Sequence, residues 1–133
     1  MMYRKYAELS NGQVAMIECH RDGNLHKCET WTVAVIIGHH RKECRRAMRR
    51  GFARMNKGRT ACDVSTGKCG LEGLRVIKAL LEEFTLWVDG AGKKVNIVCT
   101  PYDDKRKRAY KYLLRMGYWW HEESQSYWLS RWW

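Results

Sequence analysis

Hydrophobic and polar positions change rhythm several times along this chain, and each change predicts an element. Strand-like composition runs from Tyr3 to Ser10 and again from Gln13 to His20. Between them, Asn11-Gly12 is a strong hairpin signal, because both central positions of a two-residue turn need positive φ. Asp22-Gly23 makes the same demand and predicts a second turn, leading into "LHKCETWTVAVIIG". The expected outcome is a three-strand antiparallel meander. Its third strand ends in the apolar run Val33 to Ile37, which suits burial on both faces.

The rhythm then turns helical. Cys44, Ala47, Met48, Gly51, Phe52 and Met55 recur at three and four residues and define one face of a helix, while Arg45, Arg46, Arg49, Arg50 and Arg54 fall elsewhere. Residues 56–70 are polar and punctuated by glycine, a loop with a short strand expected around Ala61 to Val64. A second helix comes next, with Leu71, Leu74, Ile77, Leu81 and Phe84 on one stripe, and it stops before the turn "VDGAGKK". "KVNIVCTP" predicts a short apolar strand ended by Pro101. Asp103 suits the N-cap of a third helix, "DKRKRAYKYLLRM", and Gly117 falls where a left-handed C-terminal cap belongs. The last stretch predicts an aromatic hairpin around a polar turn at Glu123 to Ser126. The fold class is therefore α+β, a mixed and mostly antiparallel central sheet with about three helices. At 133 residues, without a repeat or a linker, the chain forms one domain.

Charge narrows the choice of partners. Lys and Arg total 25 against 14 acids, a net charge of +11, so the surface carries a field that attracts anions. Nucleic acid, a phosphorylated cofactor and an acidic protein all fit. Arg45, Arg46, Arg49 and Arg50 are the first candidate contacts, because like charges four apart on a helix cost about 0.2 to 0.5 kcal/mol per pair without a partner. Lys105 and Arg106 open a second basic cluster. The chain has no apolar run long enough to cross a bilayer and no secretory pattern, which points to a cytoplasmic protein away from membranes. Six cysteines without a C-x-x-C pair read as buried thiols. Cys19, His20, His26 and Cys28 are close in sequence, and the expected hairpin sets Cys19 near His26, but the spacing fits no standard zinc arrangement and no metal is expected. Among the aromatics, Trp120, Tyr127 and Trp128 should pack, leaving Trp132 and Trp133 exposed.

The stretch "TGKCGLEGLRVIKALLEEF" is not a nucleoside-triphosphate loop, since Cys69 replaces the required Ser or Thr and Cys62 stands where the first glycine belongs. Together with "KVNIVCTP", "AYKYLLRMGY" and the final hairpin, it resembles the GCN5-related N-acetyltransferase family over residues 66–133. That family runs from a glycine-containing loop and helix through a strand to a helix closed by Gly-Phe or Gly-Tyr, here Gly117-Tyr118. The resemblance implies that the backbone of Lys68, Cys69, Gly70, Leu71, Glu72 and Gly73 holds the pyrophosphate of acetyl-CoA or a similar cofactor at a helix N-terminus. It implies direct attack of an amine on the thioester. The family's proton-donating tyrosine aligns with Leu113, so Tyr110 and Tyr112 are the nearest hydroxyls for that role. The competing reading is a non-enzymatic basic module that binds nucleic acid or an acidic protein through its arginines.

Overall fold

A computed structural model of the chain describes residues 2–25, 28–55, 70–90, 94–100, 108 and 110–131. The first three strands are β1 (Met2–Glu8), β2 (Val14–Leu25) and β3 (Cys28–Gly38), followed by helices α1 (Arg41–Met55) and α2 (Gly70–Asp89). Next come β4 (Val95–Cys99), a 3-10 helix (Tyr110–Met116), β5 (Trp119–His121) and β6 (Ser126–Arg131). The six strands form one sheet in the order β1-β2-β3-β4-β6-β5. Every pairing is antiparallel except that of β3 with β4. The α+β class read from the sequence holds.

The strand period of two sorts the core into two layers. On one face Val14, Met16, Ala34 and Ile36 pack against Cys44, Ala47 and Met48 of α1. On the other, Ala15, Ile17, Cys19, Trp31, Val33 and Ile37 meet Ile77, Leu81, Phe84 and Val88 of α2 and Leu113 of the 3-10 helix. β3 is therefore covered on both sides, as its apolar run requires. Phe84 is fully buried and its ring lies 5.0 Å from that of Tyr3 and 5.5 Å from that of Trp31.

Two expected turns are built differently. At the first hairpin only Gly12 has positive φ, at 86°. The Leu9 carbonyl accepts from Gly12 N–H (3.1 Å), Leu9 N–H donates to the Gln13 carbonyl (2.9 Å), and Asn11 Oδ1 accepts from Gln13 N–H (2.9 Å). The result is a three-residue loop ending in a left-handed glycine, in which the Asn11 side chain closes the turn instead of its backbone turning left-handed. Asp22-Gly23 is not a turn. β2 continues to Leu25, and the register shifts by one between Asp22↔Thr30 and Leu25↔Cys28, so Gly23 falls within a β-bulge. The ladder below it is held by buried Cys19↔Val33 and by Arg21↔Trp31, and Arg21 Nη1 also donates to Glu29 (3.3 Å). Cys19 thus faces Val33 rather than His26, which lies outside the described residues.

The third helix is described from Tyr110 onward as 3-10, with Asp103 outside the described residues. A three-residue turn stacks Tyr110, Leu113 and Met116 on one side, and all three pack into the core. Its end is as expected. Gly117 has φ 95°, its N–H donates to Leu114 O (3.4 Å), and Tyr118 N–H reaches Leu113 O (3.0 Å), the paired bonds of a Schellman cap. The strand expected at Ala61 to Val64 lies outside the described residues.

Candidate functional site

A cleft lies beside the single parallel pairing of the sheet. β3 and β4 are joined from Glu29↔Val95 to Val33↔Cys99, and there the ladder stops. β3 runs on to Gly38, paired on its other side with β2 as far as Gly38↔Val14. The chain leaves β4 at Thr100, whose hydroxyl is 2.7 Å from Ser126 Oγ on β6. From Ala34 onward the β4-facing edge of β3 is therefore outside the ladder among the described residues, and a cleft opens between the two strands.

Apolar groups line this cleft. Val33, Ala34 and Val35 form the β3 side, Ile77 and Leu81 come from α2, and Cys99 and Thr100 form the β4 side. Tyr110, Tyr112 and Leu113 of the 3-10 helix close it. The enclosed cavity has a volume of about 20 Å³, room for about one water molecule. Its lining, mostly apolar with a few polar groups, matches a small-molecule site in composition and falls short of one in volume.

The polar groups in and beside the cleft keep their protons. Burial pushes the Tyr112 hydroxyl above the ordinary tyrosine range, and the neighbouring Cys99 adds to the shift. Burial likewise pushes the Cys99 thiol up to about 12. At neutral pH Cys99 is a thiol and not a nucleophilic thiolate, because burial disfavours the anion. Next to it Tyr118 is also raised, first by burial. Its buried hydroxyl faces Cys99 and Thr85 and has no partner in hydrogen-bonding geometry among the described residues.

The start of α2 lies at the same end of the sheet as the cleft mouth. Both oxygens of Glu72 accept from Ser10, one from its N–H and one from its hydroxyl, each at 2.5 Å. That ties the first turn of α2 to the β1–β2 loop, beside Val14 and its partner Gly38. The Ser10 bonds hold the Glu72 carboxyl below the usual carboxylate range, so it is ionised at neutral pH and engaged across to the hairpin. Gly70 is the first residue of α2 and Gly73 is buried within it, while Leu71 contributes helical backbone there. Lys68 and Cys69 lie outside the described residues.

The remaining candidates fall elsewhere. Arg45 is half-buried and Arg46 and Arg49 are exposed on α1, on the sheet face opposite α2. Arg50 belongs to α1 by its backbone, its side chain being outside the described residues, as are Lys105 and Arg106. Among the described residues no group of three or more His, Cys, Asp or Glu could hold a metal ion. No described helix is long and apolar enough to cross a membrane.

Sequence reasoning found Tyr110 and Tyr112 but missed the other walls of the cleft, Val33 to Val35 and Cys99. No local pattern marks them, because the parallel pairing joins segments separated by both long helices. Compared with protein-family models, curated proteins and solved structures, the chain matches none.

Proposed function

We propose that this chain is an acetyltransferase-like α+β domain that holds acetyl-CoA, or a similar acyl cofactor with a pyrophosphate, in the cleft between β3 and β4. The observation that carries the proposal is the end of the parallel ladder at Val33↔Cys99, on the end of the sheet where α2 begins. The order of helix, parallel strand, helix closed by Gly117-Tyr118 and final hairpin also supports it.

Each part of such a ligand has a chemical counterpart. Backbone N–H groups at Gly70 to Gly73 suit a pyrophosphate, since a helix N-terminus leaves donors unpaired and carries partial positive charge. Past Val33 the edge of β3, outside the ladder among the described residues, suits an extended amide-bearing chain, which pairs as an added strand would. Val35, Ile77, Leu81 and Leu113 suit the acyl end by excluding water. When bound, such a cofactor would supply an activated thioester whose acyl group passes to an amine. Tyr112, protonated at neutral pH, would give its hydroxyl proton to the departing thiolate and be restored by the proton the amine loses, and Tyr110 is the second hydroxyl of the wall. Cys99 retains its own proton, which favours direct transfer over a covalent enzyme intermediate.

Calorimetric titration with acetyl-CoA tests the reading. Heat of binding is expected, and Gly70→Asp should weaken affinity tenfold or more, because a new carboxylate meets the pyrophosphate at the start of α2. A well-folded protein that gives no heat and no thermal shift with acetyl-CoA would sink the proposal.

A further inference from the structure

The helix on the opposite sheet face presents a cationic outer surface. α1 has one acid, Glu43, and its carboxylate is taken by His39 Nδ1 at 3.0 and 3.1 Å. Five cations remain on its described outer surface, Arg41, Lys42, Arg45, Arg46 and Arg49. Among the described residues none of the five is ion-paired to a carboxylate. Two of them are oriented by the sheet: Arg41 lies over the Tyr6 ring, 4.7 Å from its centre, and Arg45 Nη1 donates to the Tyr6 hydroxyl at 3.2 Å. Tyr6 thus fixes two guanidinium groups side by side, whereas charges serving solubility alone would be left free to move. Lys42, Arg46 and Arg49, spaced four and three apart, form an exposed stripe beside them.

We infer that α1 binds the phosphate backbone of a nucleic-acid duplex without reading its base sequence. This goes beyond the cofactor site and does not depend on it. An acidic protein is the weaker fit, because protein partners need a desolvated apolar centre, and the described apolar side chains of α1, Cys44, Ala47 and Met48, are all buried against the sheet. Phosphates need cations alone, and Arg is suited to paired hydrogen bonds with them. From Arg41 to Arg49 the helix rises about 12 Å. Phosphates recur about every 3.4 Å along one strand, so the arc meets about three or four of them.

Fluorescence anisotropy with labelled 20-base-pair DNA and RNA duplexes, from about 50 to 200 mM salt, tests this. Log affinity should fall against log salt with a slope of about −3 to −4, roughly a hundredfold across that range. Each Arg→Gln change among Arg41, Arg45, Arg46 and Arg49 should reduce the slope by about 1. Tyr6→Phe should weaken binding with the slope unchanged, since no charge is lost. Preference between DNA and RNA identifies the natural duplex, and either supports the inference. Four results overturn it: no salt-dependent binding to either duplex, an unchanged slope in the folded fourfold variant, loss of the slope through Lys105→Gln with Arg106→Gln instead, or equal competition by polyglutamate at matched charge.

Discussion

Glu72 connects local chemistry to the placement of an entire helix. An acid in the first turn of a helix is favoured by the dipole, and here its oxygens also bridge to Ser10 in the β1–β2 loop. Because those bonds lower its folded pKa, the stability they contribute is complete above the unfolded value, about 4.3, and is lost as pH falls through the lower folded value. Glu72→Gln should therefore melt below the parent at pH 7, with the difference shrinking as pH falls below the unfolded value, as thermal melts at pH 7 and across the acid range would read. A difference that persists undiminished in acid would show that the carboxylate charge is not the contributor. His40 makes a comparable local contact at α1, where its Nδ1 accepts from Glu43 N–H at 3.1 Å in place of the usual hydroxyl or carboxylate cap.

At the scale of elements, the end of the 3-10 helix controls one wall of the cleft. Gly117 takes a left-handed conformation that lets Leu113 and Tyr118 both turn inward, and a Cβ there would meet Leu129 Cδ1 at an ordinary 3.5 Å. Its requirement is conformational and not a matter of space. Gly117→Ala should cost about 1 to 2 kcal/mol, measurable by denaturant titration, with the slope against denaturant unchanged. This cap was legible in the sequence because Gly-Tyr after a helical apolar stripe is a local signal. The last hairpin was legible for the same reason, although its loop is Glu122 to Gln125, one residue earlier than expected, with Ser126 already paired in β6, and Gln125 at φ 52° fills the left-handed position without being a glycine. The Asp22-Gly23 signal misled because a Gly in a long two-strand ribbon serves a bulge as well as a turn, and the buried ladder decides between them.

For the whole molecule, an aromatic part of the core lies where α2 crosses β1 and β2, with Trp31 of β3 beside it. Phe84 contacts the rings of Tyr3, Trp31 and Trp87 and leaves no exposed surface, so its loss opens a cavity that distant elements cannot fill. Phe84→Ala should cost about 3 to 5 kcal/mol, a large part of the stability of an ordinary domain, and lower the melting midpoint by roughly 10 to 20 °C. The two helical layers also divide the chemistry. α2 and the 3-10 helix enclose the apolar cleft on one face, while α1 presents its cations on the other, so the cofactor and duplex proposals can fail independently.

By itself the sequence determined the element order, the two amphipathic helices, the doubly buried third strand, the Gly117 cap and the α+β class. These depend on periodicity and turn chemistry within a few residues. It also identified Tyr110 and Tyr112, and the arginines Arg45, Arg46 and Arg49, as the groups worth placing. Only the tertiary structure decided that β3 pairs in parallel with β4, that their ladder ends at Val33↔Cys99, and that Tyr6 holds Arg41 and Arg45. It also settled the direction of Glu72 by committing it to Ser10, a choice the glycine-spaced stretch alone does not make. These features join residues tens of positions apart. Their energies come from burial and cross-strand pairing, which have no local periodicity for a sequence to display.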